Sequence, residues 1–470
     1  MTVHKAILLL AALPFLSTVD FTLARAATNL DPSTPTPASV IGAPEFCPSD
    51  ALILYWTGHH DRVLLDLCRA VAGEARVICC VANAKIRERS EKAMAAAGVD
   101  LTHVEFLETR HASAWIRDYG PYSTYRDGAL VVTDMRTPGR ADPIPTFIAE
   151  LSGLPSQESL LVHAGGNHIA DGNGMAFCSE HLFAANPSWT APSIRREMSA
   201  ALGIDSLVVL PTLEGDTTGH CDMYVKLLSD TLFAVGEYER PEDGVGTDAK
   251  ILDEIAERLS SMQNLDGRRF GVVRLPMNPI VPGSLTSNRS YTNSLIFNDK
   301  VLVPVYGTDL DEKALRTYAA SMPGYQIIPI DASESIESAG AVHCLSNQLH
   351  SANPLLVLHE PTRNAAPGDQ LVLECRLVPR FADCEVELHL VARDGDEMKP
   401  VPAVLSRGVW RAKLPPVRES FDYWFEARAH TDAGVLRATL PRGASSETFS
   451  CEVDGSADDE ESVARDRAER

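Results

Sequence analysis

Short apolar runs alternate with amphipathic stretches over the first three-quarters of the chain. Residues 52–56 (Leu-Ile-Leu-Tyr-Trp) and 77–82 are apolar throughout, which predicts buried strands. Between them, residues 62–72 place apolar side chains at helical spacing. Residues 85–97 do the same until Gly98, a residue suited to ending a helix. Strand-like runs return at 129–133, 206–210 and 299–304, the last followed by a helix over 311–321. Such alternation predicts an α/β layer protein, although the units share no clear sequence period.

The texture changes after Pro354. Residues 370–378, 384–392, 409–414, 421–430 and 435–440 are short alternating runs separated by Gly-, Pro- and Asp-rich breaks. Five or more such strands in about a hundred residues predict a small immunoglobulin-like β-sandwich. The expected organisation is a signal peptide over 1–26, a linker over 27–46, a catalytic region over 47–353, the sandwich over 354–452 and an acidic, disordered tail over 453–470. A basic start, an apolar run over 6–16 and the Ala24-Arg25-Ala26 site carry the signal-peptide reading. They predict a secreted or periplasmic protein, and no later run is apolar enough to span a bilayer.

Composition is ordinary for a globular chain, but the formal net charge of −22 argues against a nucleic-acid or anionic-membrane partner. Ten cysteines are too few for a disulfide scaffold, although one bridge among Cys375, Cys384 and Cys451 is compatible with export. No Cys or His spacing fits a zinc site.

Four segments carry chemistry. Cys344 stands in Gly340-Ala341-Val342-His343-Cys344, where a thiolate would be a strong nucleophile. His220 and Asp222 stand in Gly219-His220-Cys221-Asp222 and would share one side of an extended strand. Histidine suits proton transfer near neutral pH, and aspartate suits the fork of a guanidinium. Trp115-Ile116-Arg117-Asp118 offers a ring to stack on a planar cation and a second carboxylate, on opposite faces of a strand. Asn293, in Ser290-Tyr291-Thr292-Asn293-Ser294, is a polar orienter. Taken singly, each has a plain structural reading: a buried thiol, a surface turn, a core tryptophan with an ion pair, a turn asparagine. A fifth segment, Gly165 to Gly172, lacks phosphate-loop spacing and reads as a tight turn shaping a pocket, with Asp171 as a supporting acid.

In this order the segments resemble the peptidylarginine deiminase and agmatine deiminase family of guanidine-modifying enzymes, over roughly residues 51–353. The resemblance implies a five-fold pseudosymmetric α/β propeller with a central site and no metal or organic cofactor. It makes Cys344 the nucleophile, His220 the acid and then the base, Asp118 and Asp222 the guanidinium ligands, and Asn293 an orienter. Agmatine-type members place a Glu before the Gly-Gly pair, where this chain has Ala164. The Asn293 segment and the following β-sandwich resemble the secreted bacterial peptidylarginine deiminase. That type grips a terminal carboxylate with a closely spaced arginine pair; here Arg136 and Arg140 stand in that interval at a different spacing, as candidate substrate contacts.

The expectation is therefore an exported hydrolase that converts arginine in peptides or proteins to citrulline and ammonia. Its rivals are a deiminase of agmatine or free arginine, an amidinotransferase sharing the covalent intermediate, and a secreted binding protein built on an inactive propeller. A papain-like protease would also use Cys, His and Asn, but the aspartates and the chain order do not suggest one.

Overall fold

A computed structural model describes residues 39–109, 113–137, 143–280, 289–392 and 399–453. The signal segment, the acidic tail and Arg140 lie outside the described residues. From Ser39 onward the described chain forms one compact unit of mixed α/β structure.

Five sheets repeat one topology. In each, a first strand pairs antiparallel with a second, and the second pairs parallel with a third. The sets are Tyr122–Arg126, Ala129–Arg136 and Ser156–Val162; Ile169–Ala170, Met175–Ser179 and Ser206–Leu210; Val225–Ser229, Leu232–Glu237 and Gly271–Pro276; Leu295–Phe297, Lys300–Val305 and Gln326–Asp331; and Ser346–His350, Ser49–Trp56 and Arg76–Val81. A parallel pair needs a crossover, and an amphipathic helix supplies each one. These helices are Ile144–Leu151, Ala191–Leu202, Asp248–Ser261, Leu310–Ser321 and Asp61–Val71. The fifth set joins distant parts of the chain, because Ser346–His350 returns to pair with Ser49–Trp56.

Residues 40–46 are not a linker. Val40–Gly42 forms an edge strand beside Tyr122–Arg126, and Phe46 and Cys47 are buried in the core. The Pro- and Ser-rich composition stops just before this strand, and three residues are too few to show a period.

The C-terminal region comprises a four-stranded and a six-stranded sheet. Leu373 and Cys375 from one share a core with Leu388, Tyr423 and Phe425 from the other. The predicted strands are present as Val372–Val378, Asp383–Ala392, Val409–Lys413, Phe421–Thr431 and Gly434–Leu440. All ten cysteines are free, so the bridge considered for this region is not formed.

Candidate active site

Each of the five sheets contributes the turn just ahead of its first strand, and these turns meet. Asp118 precedes Tyr122–Arg126, Gly166 precedes Ile169–Ala170, Asp222 precedes Val225–Ser229, Asn293 precedes Leu295–Phe297, and Cys344 precedes Ser346–His350. The strand ends are rigid, so each turn holds its side chain in a fixed direction.

Two of these turns differ from the extended segments expected. Ile116–Tyr119 is one helical turn, which puts Trp115 and Asp118 on one side, with the Asp118 N–H donating to the Trp115 carbonyl at 3.1 Å. Cys221–Met223 is a short 3-10 turn, with His220 just ahead of it. Asn167 fixes it: its Oδ1 accepts from the N–H of Ser179 at 2.7 Å and of Cys221 at 3.4 Å.

Around Cys344 the contacts are specific. Asn293 Nδ2 donates to Cys344 Sγ at 3.2 Å and to Asp222 Oδ2 at 3.0 Å. Asn293 Oδ1 accepts from the N–H groups of Ala341 and His343 at 3.3 and 3.1 Å, holding the nucleophile's turn. Cys344 Sγ lies 3.7 Å from Asp222 Oδ2. His220 Nδ1 lies 3.3 Å from Asp118 Oδ1. Trp115 lies over Gly340, where a Cβ would come within 2.4 Å of the ring, and its other neighbour is the His60 ring at 5.3 Å.

Asp222 Oδ1 is buried without a hydrogen-bonded partner among the described residues, and Asp118 Oδ1 is buried beside the His220 imidazole alone. Gly166 lies between them. A Cβ there would stand 2.8 Å from His220 Nδ1, 2.9 Å from Asp118 Oδ1 and 3.2 Å from Asp222 Oδ2. Unmet buried acceptors of this kind are costly unless a ligand donates to them, and a guanidinium offers five donors in a plane.

Electrostatics separates the acid from the nucleophile. Burial opposes a charge on His220, but Asp118, by charge and hydrogen bond, together with Asp222 and Asp216, raises it to about 9. Burial, then the charges of Asp222 and Asp118, push the Cys344 thiol well above its ordinary value, against the hydrogen bond from Asn293. Without a cation between the aspartates, the site holds a protonated thiol beside a protonated imidazole.

Two expected residues, Asp171 and Arg136, stand apart from this cluster. Asp171 Oδ1 closes its own turn, accepting from the N–H groups of Asn173 and Met175 at 2.7 and 2.9 Å. Burial pushes its carboxyl up to about 7, and the other acids that act on it are Asp230 and Asp266. Its place in a glycine-rich segment reflects the turn. Arg136 is exposed at the end of its strand, where its carbonyl accepts from the His163 N–H. Arg140 lies outside the described residues. Local patterns did not reveal Glu45, Lys226, Gly166, Asn167 or a role for the His343 ring. For His343 the one available signal was its place beside Cys344. Among the described residues, no group of three or more His, Cys, Asp or Glu side chains could hold a metal ion.

A fivefold-repeated α/β frame that converges a thiol, an imidazole and two aspartates defines a guanidine-modifying hydrolase. The sequence profile of the Porphyromonas-type peptidyl-arginine deiminase matches residues 43–349, and the chain belongs to this family. It is a hydrolase acting on the carbon–nitrogen bonds of amidines. The chain is 25% identical over 304 residues to an agmatine deiminase of Medicago truncatula, covering 52% of this chain and 78% of that one. It is 24% identical over 294 residues to an agmatine deiminase of Pseudomonas syringae pv. tomato, covering 54% and 79%. The solved structure of the agmatine deiminase of Enterococcus faecalis shares the fold, with a TM-score of 0.58 at 20% identity, over 67% of this chain and 96% of that one.

Proposed function

We propose that the chain hydrolyses the guanidinium of a small guanidine, of the agmatine or free-arginine class, to a ureido group and ammonia. The observation that carries this reading is the convergence beside Cys344 of Asp222 Oδ1, which lacks a partner among the described residues, and Asp118 Oδ1, which meets His220. A guanidinium donating to both oxygens offsets the aspartate charges that, with burial, keep the thiol protonated, so substrate binding favours the thiolate and the thiol proton passes to solvent. The sulfur then bonds to the guanidinium carbon. As the tetrahedral adduct collapses, one carbon–nitrogen bond breaks, and His220 gives its proton to the departing ammonia. The neutral His220 next takes a proton from water, which adds to the thiouronium carbon. The carbon–sulfur bond breaks, leaving the urea and free Cys344. The product is neutral, so both aspartates lose their charge partner and it departs.

A second reading, hydrolysis of peptidyl arginine, is favoured by Ala164, which stands where agmatine-type members place a Glu. The family's description points the same way. We further propose a five-bladed propeller arrangement of the sheets, an immunoglobulin-like C-terminal pair of sheets, and export after cleavage behind Ala26. An N-terminus found at Ala27 in the exported protein would support the last point.

The deciding assay compares the protein with Cys344→Ala for ammonia release and ureido product. Its substrates are agmatine, free arginine, and peptides with internal or C-terminal arginine. Cys344-dependent turnover of a small guanidine is expected. Turnover of peptides alone would transfer the assignment to the second reading, and no turnover on any would overturn both.

A further inference from the structure

Asp222 is held by a chain of buried charges that no substrate contact requires. His343 Nδ1 meets Asp222 Oδ2 at 2.7 Å, and His343 Nε2 meets Glu45 Oε2 at 2.9 Å. Lys226 Nζ grips both oxygens of Glu45, at 2.5 and 2.7 Å, and donates to the Ser294 carbonyl at 2.6 Å. The Ile296 N–H donates to Glu45 Oε1 at 2.8 Å. The side chains of His343, Lys226 and Asp222 are 4, 3 and 2% exposed, and that of Glu45 is 19% exposed. Glu45, Lys226, His343 and Asp222 line a cavity of about 70 Å³ whose walls include neither Cys344 nor His220. This network therefore backs Asp222 from a space separate from the nucleophile.

Each ring nitrogen of His343 faces a carboxylate oxygen at hydrogen-bond distance. A neutral imidazole has one N–H and one lone pair, so one of these contacts would oppose two lone pairs. With both carboxylates ionised, only a ring with both nitrogens protonated satisfies the two contacts together. Burial favours the neutral form of Asp222, but the His343 hydrogen bond and charge, with His220 and Lys226, hold its carboxyl below the ordinary value. Burial likewise opposes charge on Glu45, and Lys226 and His343 overcome it.

We propose that His343 is a fixed imidazolium that, with Glu45, positions Asp222 and keeps it ionised for guanidinium binding. The ring and Asn293 Nδ2 together occupy Oδ2, which leaves Oδ1 for the substrate. It also ties the nucleophile's turn to the carboxylate, since His343 adjoins Cys344. The charged groups facing the His343–Asp222 pair are Glu45, Lys226, Arg117, Asp118, Asp216, His220 and Cys344. Arg117 contributes its charge and donates Nε–H to the His343 carbonyl at 3.3 Å. His343 and Glu45 are positioning residues, and the proposal rests on the guanidine-hydrolase reading of the site.

The test begins with nitrogen-15 NMR of the full chain labelled in histidine, without substrate, so it decides the ring's state whether or not the functional reading holds. The expected result is a His343 ring that bears a proton on each nitrogen, donating to Asp222 and to Glu45. It should survive in His220→Ala and vanish in His343→Gln. In kinetics, His343→Gln keeps a donor but not the charge, so KM for the guanidine should rise about tenfold or more, with a smaller change in kcat. Its acidic limb in kcat/KM should move to higher pH, because Asp222 then protonates more readily. Glu45→Gln combined with Lys226→Met removes the ion pair without stranding either charge, and KM for the guanidine should then rise because Asp222 loses its backing. A neutral His343 ring in the parent protein would overturn the proposal. So would an unchanged KM and pH profile in His343→Gln with only its thermal stability lowered.

Discussion

At the scale of single residues, the site depends on an empty volume as much as on its reactive groups. Gly166 is not among the glycines with left-handed backbone, so an alanine there costs no backbone strain. Its methyl would nonetheless sit within 3.2 Å of His220, Asp118 and Asp222, where the substrate's cation belongs. Gly166→Ala should lower kcat/KM on the order of 10²-fold while circular dichroism and thermal unfolding remain close to those of the parent. His220 gives a second prediction. Its pKa is raised to about 9 in the fold, so the proton donor is present below that pH and lost as pH rises through it. Asp118→Asn removes the main support for that proton, and the alkaline limb of kcat/KM should slide down toward the ordinary imidazole value of about 6.5. The same change removes a guanidinium ligand, so kcat/KM at the optimum should also fall about 10- to 100-fold. A pH–rate profile of both proteins separates the two effects.

At the scale of elements, what the sequence discloses is set by the range of the contacts involved. Strands such as Ser206–Leu210 and helices such as Leu310–Ser321 are legible because their apolar period is local. Cys344, His220, Asp222, Asp118 and Asn293 are legible because each stands in a short segment of unusual composition. Glu45 is not, because its partners Lys226 and His343 lie 181 and 298 residues away. Nor is the shape of the two turns, since four residues fit a strand or a helical turn equally well. Asp171 misled for the opposite reason: a glycine-rich turn needs an aspartate to cap its N–H groups whether or not a pocket adjoins it. The junction between elements gives a third prediction. Asp230, fully buried after the strand Val225–Ser229, meets Arg376 Nε with both oxygens at 3.2 Å and also pairs with Arg268. Asp230→Ala leaves two mostly buried guanidinium groups facing each other, a loss of about 3–5 kcal/mol. Thermal unfolding should begin several degrees lower, with kcat at low temperature nearly unchanged.

At the scale of the molecule, the question is whether the C-terminal sheets are a detachable module. Their contacts say otherwise. Val378, in the strand Val372–Val378, is fully buried in the same apolar cluster as Cys344, Cys221 and Phe46. Its carbonyl accepts from Cys47 Sγ at 3.9 Å, and its side chain lies against Gly172 in the turn that Asp171 closes. Arg380 reaches Asp266 at 2.9 Å, and Asn353 Nδ2 donates to the Arg437 carbonyl at 2.6 Å. Removing everything after Asn353 therefore uncovers Cys47 and the 172–174 turn, and takes Arg376 from the buried Asp230 and Arg380 from Asp266, leaving Arg268 as the cation beside both. Cys47 and Phe46 adjoin Glu45, so this loosening reaches the segment that backs Asp222. A chain ending at Asn353 should give little soluble protein, and its thermal unfolding should fall by more than that of Asp230→Ala, since it loses the Asp230–Arg376 and Asp266–Arg380 pairs and apolar burial besides. Whatever remains soluble should bind guanidinium more weakly, because the Glu45 segment has lost its cover. A truncated chain that unfolds at the parent's temperature and keeps its kcat/KM would instead make the C-terminal sheets an independent appendage.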